Sequence, residues 1–457
     1  MRPQEIVERA LAGSTGAGRA VLVSETSEAV LRWANSTMTT NGHTTSRRVA
    51  VVALEAVSGG MAAGVVSSAA PLPDAAAVDE LVAAARRAAH DAGPARDVAP
   101  LPDPVGDDPA WAEGPTETSV GVFGRLAGGL ADVLDGPLRH YGFASHELTT
   151  TWLGTSTGVR RRWVQPTGSV ELNVKTPDLQ GSAWTGASTV DFTDVDVVAL
   201  AADAASRLDW GARRVTLPPG RYETLLPPSA VSDLLLMLAW SMDGRAAQEG
   251  RSALAGPDGP RVGERLTDRP LTMASDPAAP GLEYAPFVTT LRSGEGTSVF
   301  DNGAPTRRVE WLRDGVVHEL AYSRAEAAEF GTAFAPAGDN LLLTGGSAAS
   351  LADMVAGTRR GLLLTCLWYI REVDPATLLL TGLTRDGVYL VENGEVTAEV
   401  DHNFRFNHSP LDVLRHASEV GATERTLPRE WKDWFTRVAM PPIRVPDFTM
   451  SSVSPGR

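Results

Sequence analysis

The chain has a single cysteine, Cys366, in 457 residues, so it can form neither an intrachain disulfide framework nor a cysteine-rich zinc site. A reducing compartment is the natural setting for such a sequence. Lysine is nearly as scarce, with only Lys175 and Lys432, and arginine supplies the other cations. The formal charge is −15, which argues against nucleic acid, whose phosphates need a basic surface, and against an anionic membrane surface. No apolar run approaches the ~20 residues that cross a bilayer; the run Leu234–Trp240 meets Asp233 on one side and Asp243 on the other. The opening MRPQEIVERALAG has no signal-peptide core, and a cytoplasmic protein is expected. Glycine patterns such as GTSTG and GGSAAS lack a phosphate-loop lysine. No G-x-S-x-G elbow stands out, since GTSTG (Gly154–Gly158) lies among strand-like segments, and Ser252 has no evident base nearby.

What is present suggests an α+β protein of several domains: 43% of residues are hydrophobic, enough for two or three cores at this length. Residues 1–100 read as an amino-terminal mixed sheet with helices. A helix is expected from Glu5 to Leu11, ending at Gly13–Gly18. Strands follow at Ala20–Ser24 and Arg48–Val57 with a polar segment between them, then a return strand at Met61–Ser67 and an alanine-rich helix over Asp74–Ala92. Residues 93–116, rich in Pro, Asp and Gly, read as a strap. Residues 115–215 form a central segment: a helix over Leu126–Tyr141, short strands within Glu147–Leu153, Gly158–Gln165, Val170–Lys175 and Ser182–Ala187, then a helix over Asp194–Leu208. Residues 216–457 read as β-rich, with single strands at Leu341–Gly346, Gly361–Tyr369 and Leu378–Val391. Turns are expected at Asp301-Asn302-Gly303, Arg313-Asp314-Gly315 and Glu392-Asn393-Gly394. Ser409 and Pro410 open a last helix.

The candidate ligands do not form a familiar pattern. His402, His408 and His416 match no common zinc spacing, nor do His140 and His146, and all five read as structural. Asp191, Asp194 and Asp196 alternate, but no glycine or closing glutamate follows as in a calcium loop; a helix cap at Asp194 explains them better. Asp103, Asp107 and Asp108 read as a solvated linker. Cys366 lies among large apolar neighbours and reads as a small buried hydrophobe.

The most specific stretch is Leu217–Met273. It runs from LPPGRY (Leu217–Tyr222), with Pro219 and Gly220, through the apolar run to EGRSALAGPDG (Glu249–Gly259), with Gly250, Ser252 and Gly256. Ser229 or Ser232 can cap the apolar helix, with Asp233 in its first turn. This order resembles the carboxy-terminal domain of the TldD/PmbA family of metallopeptidases. In the TldD branch the helix carries a His-Glu-x-x-x-His motif, whose histidines hold zinc and whose glutamate acts on the zinc-bound water. Counting back without gaps from Gly250 and Ser252 places Leu235, Leu236 and Trp240 at those three positions, and none of them can bind a metal or move a proton. The cysteine that completes the family's zinc site near the carboxy terminus has no counterpart after Met440.

The resemblance therefore points to the PmbA/TldE-like branch: a non-catalytic subunit with no cofactor of its own, paired with a TldD-like partner that carries the zinc. Together they would cut unfolded or short peptides, including leader segments of ribosomally made modified peptides. A stand-alone peptide-binding or scaffold protein, or a metal-free enzyme in the same fold, are the alternatives. Leu235, Leu236 and Trp240 are expected to be packing residues, and Leu367, Trp368, Tyr369, Trp431 and Trp434 to be candidates for the partner-facing surface.

Overall fold

The computed structural model describes residues 1–14, 18–106 and 108–454. Part of the expected Gly13–Gly18 stop, and Asp107, fall outside them. Helix α1 (Pro3–Leu11) buries Ile6, Val7, Ala10 and Leu11 on one face. The chain then forms one long hairpin, β1 (Gly18–Ala34) and β2 (Thr37–Val57), closed by Asn35 and Ser36, both at positive φ as a two-residue primed turn requires. The segment expected to be merely polar is therefore strand on both arms. It is rich in threonine, which suits an extended backbone whether or not its face is buried.

Strand β3 (Gly60–Ser68) pairs with Val49–Val57 of β2. Helix α2 (Ala75–Ala92) lies across these strands, its first turn capped by the Asp74 carboxylate on the Ala77 N–H (3.0 Å). Gly64 permits this packing, because a Cβ there would sit 2.2 Å from the Ala85 carbonyl oxygen.

After the strap come a 3-10 turn (Val120–Phe123), α3 (Gly124–Leu134), the long strands β4 (Arg139–Thr155) and β5 (Arg160–Lys175), β6 (Ser182–Thr189) and α4 (Val197–Trp210). The helix expected to reach Tyr141 stops at Leu134. Asp196, not Asp194, caps α4, accepting from the Ala199 N–H at 3.0 Å. Asp194 instead accepts from the Thr189 hydroxyl and pairs with Arg425.

Strand β1 pairs with β4 from Ala20↔Thr155 to Trp33↔Gly142. The six strands thus form one antiparallel sheet ordered β3-β2-β1-β4-β5-β6, and the segments on either side of the strap share it. The strap runs alongside, held for example by the Thr157 hydroxyl on the Pro102 carbonyl (2.6 Å).

Beyond α4, β7 (Arg214–Val215) and β8 (Gly220–Leu226) enter a ten-stranded sheet, and a separate six-stranded sheet runs from Val316–Val317 to Glu424–Thr426. Helix α5 (Pro228–Trp240) is nearly all apolar, as a helix buried on every side should be. Its Leu234, Leu235, Leu236 and Leu238 sit in one core cluster with side chains from both sheets. Several expectations change here. The expected strand Gly361–Tyr369 is two, Arg360–Leu364 and Leu367–Asp374, broken at Thr365-Cys366; Leu378–Val391 is also two, broken at Asp386 and Gly387, both at positive φ. Asn393-Gly394 and Asp314-Gly315 turn hairpins as expected. Asp301-Asn302-Gly303 does not: Asn302 is buried and its amide donates to the Thr290 and Val299 carbonyls, pinning a loop.

Candidate functional site

Helix α5 starts at Pro228 with Pro227 as its cap residue and no side-chain cap bond. Neither expected serine caps it; the Ser232 hydroxyl bonds back to the Ser229 carbonyl at 2.6 Å. Asp233 lies in the second turn and is fully buried. Its carboxyl accepts the Arg429 N–H (3.2 Å) and the Glu430 N–H (2.9 Å), and its carbonyl accepts the Trp431 indole N–H (2.9 Å). Burial pushes this carboxyl well above the usual carboxylate range despite those donors. The helix is thereby stapled to the segment after Leu427.

Leu235 and Leu236 have no exposed surface, in line with their expected packing role. Trp240 departs from it. It is 44% exposed, because it closes the helix where α5 leaves the core, and its ring meets Trp431 edge to face at 5.0 Å. Trp240 lines a cavity of about 330 Å³ whose wall also includes Met242, Asp243, Trp311, Asn340 and Phe435. A second cavity of about 420 Å³ shares Arg292, Thr297, Ala337 and Gly338 with it and extends to Thr151, Trp163 and Gln165 of the amino-terminal sheet.

Asp243 caps the short helix α6 (Gly244–Gln248) through the Arg245 N–H at 3.0 Å, and burial raises its pKa. Gly244 is required beside it, since a Cβ there would lie 2.2 Å from the Tyr322 ring. The loop across the cavity carries Arg292 and Glu295, paired at 3.5 Å, with Gly294, Glu295 and Gly296 all at positive φ. Asp243 and Trp311 were not singled out from sequence, where the only local signal is the Asp-Gly pair closing the apolar run.

The other candidates stay apart. His402 pairs with Asp401 at 2.8 Å, and His408 stacks on Phe448 with its pKa pushed down to about 4 by burial. His416 ends the helix Pro410–His416. His140 is buried, which lowers its pKa, and His146 bonds the Thr118 hydroxyl (2.6 Å) and the Val190 carbonyl (2.8 Å). Asp191 accepts from the Thr193 N–H and hydroxyl. Burial drives the Cys366 thiol far up, so it stays protonated. Among the described residues, no three histidine, cysteine or acidic side chains are grouped to hold a metal ion.

Of the expected fold-motif residues, Gly220 opens β8 directly after Pro219, and Gly250 ends the α6 region at positive φ. The Ser252 hydroxyl accepts the Leu254 N–H (3.2 Å), and Gly256 lies in a two-residue hairpin strand. Of the expected surface residues, Leu367 is a correction: it is fully buried in the core, because β-strand alternation turns it inward. Trp368 is half-buried under the Arg429 guanidinium (4.5 Å), which also lies 5.2 Å from the Trp184 ring. Trp431 is half-buried, whereas Tyr369 is 55% and Trp434 80% exposed.

Residues 219–452, just over half of the chain, match the profile of the PmbA/TldA metallopeptidase C-terminal domain. The chain belongs to the PmbA/TldD family. Solved structures of this fold extend over nearly the whole chain. TldE from Thermococcus kodakarensis superposes with a TM-score of 0.76 at 16% identity, covering 98% of this chain and 99% of that one. A protein named as a modulator of a DNA gyrase, from Thermotoga maritima, gives 0.72 at 18% identity with the same coverage. Another so named, from Bacteroides thetaiotaomicron, gives 0.73 at 16%, covering 98% of both chains. No curated protein matches the chain. At these identities the structural likeness speaks to the PmbA/TldD fold, and the chemistry must be read from the site. Among the described residues, no helix is long and apolar enough to cross a membrane.

Proposed function

We propose that this PmbA/TldD-family chain is the subunit without a zinc site in a two-subunit, TldD/TldE-like peptidase of the cytoplasm. Its role is to shape the chamber and hold unfolded or short peptides, leader segments among them, while a TldD-like partner carries the zinc and activates water. One observation supports this reading: Leu235, Leu236 and Trp240, which a gapless count sets at the three positions of the zinc motif, are all on α5, and the first two are sealed in the core. Zinc requires imidazole, thiolate or carboxylate donors, so these residues do not fit the ion, and no step of hydrolysis is assigned to this chain. The fold is nevertheless complete around the altered helix, and Tyr369 and Trp434 present aromatic surface to solvent, as a subunit-pairing face would.

Co-expression with a TldD-like protein bearing the His-Glu-x-x-x-His motif tests the proposal. The expected result is a stable heterodimer with zinc only in the partner, and peptide cleavage that needs both chains. Full cleavage by the partner alone, with no complex at micromolar concentration, would defeat it.

A further inference from the structure

The cavity beneath Trp240 has the chemistry of a recognition site. Tryptophan is highly buried on average, yet Trp240 is 44% exposed, and Trp311, nearly fully buried, lines the same cavity. Met242 and Phe435 add apolar wall. Arg292 and Glu295 form a pair at the rim, while among the described residues no cationic side chain is bonded to Asp243, which accepts from the backbone of its own helix turn and feels Arg251 only through space. A carboxylate in that position can accept further hydrogen bonds. Aromatic faces, an apolar stem-length cavity and one uncancelled anion together select an alkyl chain ending in a cation. The adjoining cavity continues along Thr151, Gln165 and Thr290, which gives the groove the length for residues on either side of the bound side chain.

We propose that this groove binds an extended peptide through one lysine or arginine side chain, its stem between Trp240 and Trp311 and its charged head at the Asp243 carboxylate. The inference rests on the reading of the chain as a peptide-holding subunit and names the feature it would recognise. It also gives the residue at the third motif position a role unrelated to metal.

The test uses the full chain alone, titrated by calorimetry with a blocked pentapeptide of lysine flanked by two alanines on each side. Counterparts carry arginine, norleucine or glutamate at the centre. Lysine and arginine peptides should bind at least tenfold more tightly than norleucine, and the glutamate peptide more weakly still. Asp243→Asn should erase the tenfold preference, and asparagine caps a helix as well as aspartate does, so the fold is retained; circular dichroism verifies this. Trp240→Ala should weaken the lysine peptide several-fold. Equal affinity for lysine and norleucine, a preference that survives Asp243→Asn, or no binding at millimolar peptide each overturns the inference. Pairing of the wild-type chain with a zinc-bearing relative is read separately. A chain that pairs without preferring lysine sinks only this inference, and one that prefers lysine without pairing sinks only the heterodimer.

Discussion

A tryptophan and a histidine show how position decides a side chain's worth. Had Trp240 been buried, its truncation to alanine would cost ~3–5 kcal/mol. With 44% of its surface exposed and one edge-to-face contact to Trp431, Trp240→Ala should cost no more than about 1–2 kcal/mol. Leu235→Ala, fully buried in the same helix, should cost ~2–5 kcal/mol. Thermal melts of the two variants check the contrast, and equal losses would place Trp240 back in the core. His408 is held neutral, its pKa lowered to about 4 because it is buried against Phe448. In the unfolded chain the ring titrates near its ordinary value of about 6.5, so between these values the unfolded state binds more protons than the native state. Stability is therefore fully present above about pH 6.5 and is lost as pH falls towards 4, by up to ~3 kcal/mol. His408→Gln should flatten that limb of the stability curve, as read by urea unfolding at a series of pH values.

At the level of elements, α5 is fixed by one carboxyl as much as by its leucines. Asp233→Ala would leave the Arg429 and Glu430 N–H groups without their acceptor, at about 1–3 kcal/mol each. The loss should appear as faster hydrogen exchange in residues 428–435. The sign of the pH effect is opposite to that of His408. A buried carboxyl with a raised pKa binds its proton in the native state where the unfolded chain has released it. Its contribution is present below the ordinary carboxylate pKa and declines as pH rises through the native value. Asp233→Asn should remove that decline, even though asparagine replaces one acceptor with a donor and so lowers stability throughout. The strands give a second expectation. β3 covers β2 only from Val49 onward, so Thr37–Arg48 forms the open edge of its sheet. The amides of that stretch not bonded to β1 should exchange quickly, while β1 from Ser24 to Trp33, paired on both sides, stays protected. Uniform protection of both strands in the isolated chain would mean that another surface covers the edge.

Across the whole molecule, several features with a local cause could be read from the sequence and features set at long range could not, although the caps expected at Asp194 and at Ser229 or Ser232 and the turn at Asp301-Asn302-Gly303 are not formed. The alanine-rich helix from Asp74, the turns at Asp314-Gly315 and Asn393-Gly394 and the final helix from Pro410 all follow from a few neighbouring residues. The pairing of β1 with β4 spans more than a hundred residues, and nothing local in either strand announces it. The same holds at the site. The unsuitability of Leu235 and Leu236 for a metal is visible in their chemistry, but the exposure of Trp240 and its cavity with Asp243 and Trp311 depends on where the second sheet lies. Long-range packing also bears on whether the segments can live apart. Phe287, Val299 and Phe300 of the carboxy-terminal part share a core cluster with Leu22, Val52, Leu54 and Leu153 of the amino-terminal sheet. Asp97 bonds the Ser298 hydroxyl at 2.6 Å, and Arg324 reaches the Pro100 carbonyl. An isolated fragment of residues 216–457 would uncover those aromatic rings, and a large apolar patch without its cover binds dye and aggregates. The full chain should therefore melt in one cooperative step by calorimetry, and the fragment should bind an anilinonaphthalene dye until residues 1–215 are supplied in trans. Phe300→Ala, which cuts into that shared cluster, should lower the single transition by ~3–5 kcal/mol. Two well-separated transitions, with Phe300→Ala shifting only one of them, would mean that the sheet and the carboxy-terminal part fold independently.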